Sequence, residues 1–359
     1  AWLAQPRRLA SAVATARELA PGRQHSCAII GDDVHCWGSD NFGALGRGEP
    51  PWLGRRYRLK QEIASVAEAA ILETGVCVLD GDTPRCWGGI RFGDQRRGSA
   101  GGAGERVTEA KGALALSASD AHLCARRETD VVCWDVSRSP TASDRQFDEV
   151  VAGGGFACGL KGGSLTCWTH DGANPTLSED SELITGVARL SAGTDHACWA
   201  RGREVTCPRL LSRSIELPEA PTQLASGGDF ACALVSEGIY CWGQGAAGEL
   251  GDGRMLTSEL PVRAELDGAV AVAAGRNHAC AVDSEGGGWC GGATHRGQLG
   301  IADRLDRDRP VRVLGVPPAA AVLAGPSLSC SLGRDRAVTC WGSNATAVFD
   351  DAYAWGVAE

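Results

Sequence analysis

Short runs in which apolar and polar residues alternate recur along the chain, each broken by a Gly-containing turn. One run reads APGRQHSCAI over residues 20–29, and it returns as SAGTDHACWA (191–200), ASGGDFACAL (225–234) and AAGRNHACAV (273–282). A second type of run reads HCWGSDNFGALG (35–46), YCWGQGAAGELG (240–251) and WCGGATHRGQLG (289–300). The first type meets a short turn and leads into the second. Two alternating runs joined in this way predict a β-hairpin.

The cysteines give the hairpins a register. They fall into eight pairs. Six have eight residues between them: Cys27/Cys36, Cys77/Cys86, Cys124/Cys133, Cys158/Cys167, Cys198/Cys207 and Cys232/Cys241. Cys280/Cys290 and Cys330/Cys340 have nine. Successive first cysteines lie 50, 47, 34, 40, 34, 48 and 50 residues apart, the mark of a repeat array. This replaces the two domains that 359 residues would imply at about 150 residues each. The reading is one domain over 1–359, with repeats at 1–48, 49–98, 99–140, 141–175, 176–212, 213–253, 254–302 and 303–359.

If Cys27 faces Cys36, then Ile30 faces Asp33 and the loop is Gly31-Asp32, which suits a type II′ turn. Gly81-Asp82, Gly162-Gly163 and Gly202-Arg203 are equivalent, while Glu128-Thr129 and Ser236-Glu237 fit less well. The seventh loop, Ser284-Glu285-Gly286, places Gly286 where a left-handed residue is wanted; the eighth, Arg334-Asp335-Arg336, lacks that Gly. Counting outward from a two-residue loop, Cys27/Cys36 falls on a non-hydrogen-bonded position with Cα atoms about 4.5 Å apart. That is close to the shortest usual disulfide span, so eight local disulfides are predicted, one per repeat. A zinc reading is weaker, because the spacing lacks the short knuckle of metal-binding cysteines. Sixteen paired cysteines point to an oxidising setting: secreted, periplasmic or cell-surface.

The segments Gly22–Ile29 and Gly275–Val282 follow G-x-x-H-x-C-A-[LIV], and Cys36–Gly46 follows C-W-G-x-x-x-x-G-x-L-G. On these motifs, along almost its whole length, the chain resembles the regulator-of-chromosome-condensation (RCC) repeat family. Its paired cysteines resemble those of bacterial exported members. The resemblance implies an all-β fold, a single closed β-propeller with one blade per repeat. Seven blades are common in that family. The repeat count here gives eight, within the range of propellers, with seven as the alternative. Elementary physics agrees: a 35–50-residue unit of short strands cannot bury both faces alone, and radial closure leaves only short edges. The position after the second cysteine holds Trp37, Trp87, Trp134, Trp168, Trp242 and Trp341, expected to pack between blades. Pro208 and Gly291 stand there in units 5 and 7, so thinner contacts are expected. Units 3 to 5 are too short for the G-x-L-G excursion, whereas units 1, 2, 6 and 7 carry long loops on which binding is expected.

Composition adds exclusions. The 49 glycines fall far below a collagen-like third, and 43% apolar with 22% charged residues is a globular balance. No apolar run approaches a membrane span. A net charge of −9 argues against a general phosphate-backbone binder. The chain begins Ala1-Trp2, which fits a mature secreted chain or a fragment.

Candidate chemistry is sparse. His25, His122, His196 and His278 stand two residues before a first cysteine, where the other units have Gly75, Phe156, Phe230 and Leu328. A metal or catalytic ring is conceivable; local hydrogen bonding, with Phe or Leu as packing substitutes, is the plainer reading. Gly153-Gly154-Gly155 and Gly286-Gly287-Gly288 are not phosphate loops, since no Lys-Ser/Thr helix start follows. Glu249 and Asp252 in the Gly248–Gly253 loop are candidate calcium ligands, weighed against a plain loop motif. The most partner-like composition is Arg47, Trp52, Arg55, Arg56, Tyr57 and Arg58, with Lys60 alongside and Arg91, Arg96 and Arg97 in the next loop. Trp, Tyr and Arg are hot-spot residues, although a solvated loop has the same composition. Asn344-Ala345-Thr346 matches a glycosylation acceptor. No nucleophile elbow, His-Glu-x-x-His helix or dinucleotide fingerprint occurs.

These observations lead to a non-enzymatic, monomeric, exported scaffold. It presents the long loops of units 1, 2, 6 and 7 to a protein, with no cofactor, nucleic acid or membrane insertion. Nucleotide exchange on a small GTPase, and carbohydrate binding as an adhesin, are the alternatives. Paired cysteines disfavour the first of these.

Overall fold

The structure, a computed structural model, describes residues 3–8, 16–22, 25–31, 33–38, 57–58, 66–72, 75–88, 104–119, 122–135, 141–143, 145–169 and 184–342. Each cysteine pair lies at the centre of its own antiparallel sheet, and there are eight such sheets. They form an eight-bladed propeller, which settles the count at eight rather than seven. From the axis outward, blade 7 runs Ala269–Ala274, His278–Asp283, Gly288–Gly292 and Arg307–Arg312. Blade 6 repeats this order with Gln223–Ser226, Phe230–Val235, Gly238–Gly243 and Ser258–Arg263. In blade 8 the inner three strands are Ala319–Ala324, Leu328–Gly333 and Val338–Gly342. Its fourth strand is Leu3–Arg8, from the other end of the chain, which pairs antiparallel with Val338–Gly342 and closes the ring.

The hairpin registers follow the cysteine spacing. Ile30 faces Asp33, Asp80 faces Thr83, Lys161 faces Ser164 and Arg201 faces Glu204, so each loop has two residues. Gly31, Gly81 and Gly202 take φ near +60°, the value a primed turn requires at its first position. In the three-residue loops Gly286 sits at φ +94°, and Arg336 adopts φ +66° at the equivalent place without being Gly. All eight predicted disulfides are present, with Cα atoms 4.0–4.2 Å apart.

Each disulfide is buried against the next blade, and an indole lies in the cluster around it. Cys27–Cys36 shares a buried cluster with Trp87, Cys77–Cys86 with Trp134, and Cys124–Cys133 with the partly buried Trp168. Cys198–Cys207 meets Trp242, Cys280–Cys290 meets Trp341, and across the closing seam Cys330–Cys340 meets Trp37. The expectation of thin contacts at Pro208 is corrected. Cys158–Cys167 is covered by Trp199, one residue after the first cysteine of unit 5.

Cys232–Cys241 departs from the expected cover of a Trp after the second cysteine. Cys232 and Cys241 face each other across the blade 6 hairpin and are joined, but Gly291 stands at the covering place in blade 7. The indole in their cluster is Trp289, one residue before the second cysteine of blade 7, and it is only partly buried. Leu250 and Leu266 fill the rest of the seam. An apolar cavity of about 20 Å³ remains, lined by Cys241, Cys280 and Gly291.

The inner strands would otherwise present bare backbone to the axis. Side chains of the preceding blade meet part of it. Glu18 accepts from Ala69 N–H at 2.9 Å, Glu68 from Leu116 N–H at 2.5 Å, and Ser117 from Ala152 N–H at 2.9 Å. Ser191 accepts from Ser226 N–H at 3.1 Å and Gln223 from Val272 N–H at 3.1 Å.

Candidate functional site

The G-x-x-H motif forms the turn from inner to second strand, on the face that also carries the long loops. The N–H at its first position donates to the carbonyl at its fourth in all eight blades: Gly22 to His25, Leu72 to Gly75, Ser119 to His122, Gly153 to Phe156, Gly193 to His196, Gly227 to Phe230, Gly275 to His278 and Gly325 to Leu328. The ring of the fourth residue folds over the first. A Cβ at Gly153 would lie 2.2 Å from Phe156, and one at Gly275 would lie 2.3 Å from His278. Unit 2 inverts the pair as Leu72 and Gly75, so room is kept by moving the Gly.

The four histidines do not make a ring of ligands. Each belongs to the seam with the following blade, so the bonding is across blades rather than local. His25 Nε2 donates to Gly75 O at 3.1 Å and His122 Nδ1 to Phe156 O at 3.0 Å. His196 hydrogen-bonds the Gly228 backbone, and His278 Nε2 meets Ser329 Oγ at 2.8 Å. His122 lies near the sulfurs of Cys124 and Cys133, but these are joined in a disulfide and offer no thiolate. Burial holds the His25 and His278 imidazoles down to about pKa 4. His196 is also lowered, mainly by burial, with Asp229 and Asp195 opposing.

The long loops of blades 6 and 7 have two halves. The G-x-L-G half is a wedge driven into the next seam. Leu250 is fully buried against blade 7, and Leu299 against blade 8. Glu249 accepts from Ala247 N–H at 2.8 Å, as Gln298 accepts from Arg296 N–H at 2.9 Å. Gln fills the same role, so the Glu249 carboxylate is a loop brace, and burial raises its pKa. Asp252 pairs with Arg254. The proposed calcium ligands are therefore engaged within the loop. Beyond the wedge the chain turns outward. Leu256 is 63% exposed and Leu305 68% exposed at equivalent positions, five residues after Gly251 and Gly300. Met255 and Leu260 continue the exposed apolar row.

Arg47, Trp52, Arg55, Arg56 and Arg91 lie outside the described residues. Tyr57–Arg58 forms the outer strand of blade 1, Arg58 facing His35. Arg263 faces Tyr240 and Arg312 faces Trp289 in the same register, each one residue before a second cysteine, Cys241 or Cys290. Twelve positions separate Gly46 from Arg58, Gly251 from Arg263 and Gly300 from Arg312. In sequence, then, Pro51 is the counterpart of Leu256 and Leu305, and Trp52 follows it.

The "Regulator of chromosome condensation (RCC1) repeat" family model matches residues 237–282, which run from the blade 6 hairpin through its wedge to the second strand of blade 7. Residues 237–282 are an RCC1 repeat within the eight-bladed propeller. Among curated proteins, the chain is 32% identical to the mouse X-linked retinitis pigmentosa GTPase regulator over 127 residues, 33% of the chain and 13% of that protein. It is 30% identical to human E3 ubiquitin-protein ligase HERC2 over 205 residues, 51% of the chain and 4% of that protein. It is 28% identical to the Ultraviolet-B receptor UVR8 of Arabidopsis thaliana over 182 residues, 44% of the chain and 41% of that protein. Each match spans less than half of the relative. Among solved structures, Prp20p from Saccharomyces cerevisiae superposes with a TM-score of 0.62 at 18% identity, covering 91% of this chain and 82% of that one. Human WBSCR16 superposes with a TM-score of 0.60 at 17% identity, covering 87% and 99%. Likeness at these identities establishes the shared propeller fold.

Proposed function

We propose that this propeller is a non-enzymatic, exported protein-binding scaffold whose partner rests on the outer halves of the long loops of blades 1, 2, 6 and 7. The carrying observation is the exposure of Leu256 and Leu305 on loops whose other halves are locked into the seams. A rigid base with a bare apolar tip orders little on binding and buries the kind of surface that drives association. Arg47, Trp52, Arg55, Arg56, Tyr57, Arg58 and Arg91 are assigned to the same arc, and they add hot-spot residue types to it. Eight disulfides support an oxidising compartment. Exchange on a small GTPase draws on the names of relatives, a GTPase regulator among them, and on a yeast structure described with binding to Gsp1p and histones. The disulfides weigh against that cytosolic setting.

The test is affinity capture by the immobilised chain from an extracellular or periplasmic extract, read by mass spectrometry. Leu256→Asp with Leu305→Asp, and Trp52→Ala with Arg55→Ala and Arg56→Ala, are run in parallel. A partner held by the wild type is expected to bind about thirtyfold more weakly to each variant, the weight of one hot-spot residue. Equal retention by both variants would remove the loops from the interface.

A further inference from the structure

Behind the Leu305 loop lies a fully buried chain of polar groups. His278 Nε2–H donates to Ser329 Oγ at 2.8 Å, and Ser329 Oγ–H donates to Gln298 O at 3.0 Å. Trp341 Nε1–H donates to the same carbonyl at 2.9 Å. His278, Ser329, Gln298 and Trp341 are each no more than 1% exposed. The relay joins three parts: the second strand of blade 7, blade 8, and the wedge of the blade 7 loop. Gln298 precedes Leu299, the buried tooth of that wedge, and the loop runs on to Leu305.

The relay has one fixed polarity. Gln298 O can only accept, so Ser329 must donate to it and must accept from His278 Nε2–H. Nδ1 of His278 is then the unprotonated nitrogen, and it is buried with no hydrogen-bond partner. A proton added there would create a cation with no acceptor in the seam. The elements packed around the ring are the inner and third strands of blade 7, the Leu328–Gly333 strand of blade 8, and the Gln298 wedge. Among the described residues the titratable group acting on it is His295, which opposes a positive charge. No carboxylate is among those influences. At His196, by contrast, Asp195 and Asp229 favour the charged form.

We propose that His278 is an acid latch on the blade 7 binding loop: the neutral imidazole holds the wedge in the seam through Ser329 and Gln298, and its protonation releases the loop that carries Leu305. This rests on the binding role assigned to that loop. It adds that the partner is held near neutral pH and let go in acid. The molecule itself supplies the control. Blades 4 and 6 place Phe156 and Phe230 at the equivalent position and close their seams with no imidazole there.

Hydrogen exchange of residues 293–306 on the purified chain tests the latch without any partner, so its failure is separable from that of the binding reading. After correction for intrinsic exchange, wild-type protection is expected to fall at least tenfold between pH 7 and pH 4, while residues 244–257 of the blade 6 loop show no acid loss, since burial raises the Glu249 pKa and a raised carboxyl favours the fold as pH falls. His278→Phe is expected to hold protection level across that range. Ser329→Ala, which keeps the imidazole and cuts the relay, is expected to lower protection already at pH 7. Ring-nitrogen chemical shifts of His278 give a second readout that does not depend on a variant folding. Protection of 293–306 independent of pH, the same acid loss in His278→Phe, or a His278 ring that titrates at its ordinary value would overturn the proposal.

Discussion

The two seams of blade 7 do the same job with different materials. Toward blade 8 it presents His278 and the Gln298 wedge to Ser329 and Trp341, so polar groups are threaded through a buried apolar cluster. Toward blade 6 the corresponding places hold Phe230 and Gly291. Leu250, Leu266, Val272 and Trp289 close that seam over Cys232–Cys241, leaving a small apolar gap. Both seams close, so the polar relay is not what propeller closure requires. What it adds is direction and a dependence on protonation, since a satisfied buried network fixes one geometry and a broken one is costly.

The largest way to break this comparison is to remove the indoles. Trp341 is fully buried, and Trp341→Ala should cost about 3–5 kcal/mol. The change also leaves Gln298 O short of one donor. Trp289 is only partly buried, and Trp289→Ala should cost about 1–2 kcal/mol, in proportion to the area it covers. Guanidinium unfolding midpoints of the two variants check this. Equal losses would mean that the seams are mechanically alike.

Acid separates the seams next. His25 and His278 titrate near 4 in the fold and near 6.5 when unfolded, so between those values the unfolded chain binds more protons. Stability therefore rises with pH through this window and is lost as pH falls from 6.5 to 4. Each ring contributes about 3 kcal/mol to that loss. His278→Phe should remove one share of the slope, and Phe230→Leu in the other seam should leave the slope unchanged. Unfolding free energy measured from pH 7 to pH 4.5 decides, and a slope untouched by His278→Phe would contradict the assignment.

The sequence pattern was most informative where interactions are local. Hairpin registers, loop lengths, all eight disulfides and the left-handed place at Gly286 follow from residues within about ten positions of one another. Seams were legible only in part, because their partners come from units 34–50 residues away. The spacing of G-x-x-H suggests that its fourth residue bonds locally, whereas the histidines there bond the next blade. The long loops carry the expected binding surface, yet their G-x-L-G half is core, with Leu250 and Leu299 buried. Trp199 was the available signal in unit 5, standing beside the first cysteine of the unit that lacks Trp after the second. Trp289 was the matching signal in unit 7, standing just before the second cysteine and reaching the Cys232–Cys241 cluster. Arg47, Trp52, Arg55, Arg56 and Arg91 lie outside the described residues, and their part in the proposed interface rests on composition.

A smaller difference separates the hairpins of blades 7 and 8. Gly286 and Arg336 share one left-handed place, and only Gly adopts it without cost. Arg336→Gly should stabilise the fold by about 1 kcal/mol. Gly286→Ala should destabilise it by at least as much, since a Cβ there would also lie 3.0 Å from Pro318. Thermal unfolding of the pair should shift in opposite directions, and shifts of the same sign would refute the equivalence of the two loops.

The finest test returns to the gap beside blade 6. A Cβ at Gly291 would meet nothing closer than 3.5 Å, and the residue lines the residual cavity with Cys241. Gly291→Ala therefore places a methyl group where an indole stands in six other blades, and it removes the conformational freedom of Gly from a strand interior. The gain should be about 0.5–1 kcal/mol. The same change should leave the His278 share of the acid slope intact, because no group of the His278 relay lines this cavity. A gain in stability with an unchanged slope would show that the two faces of one blade are tuned independently, one for packing and one for protonation. A loss of stability would show instead that Gly291 is needed for the close approach of Arg309 and Pro310, and that this seam is tight rather than underfilled.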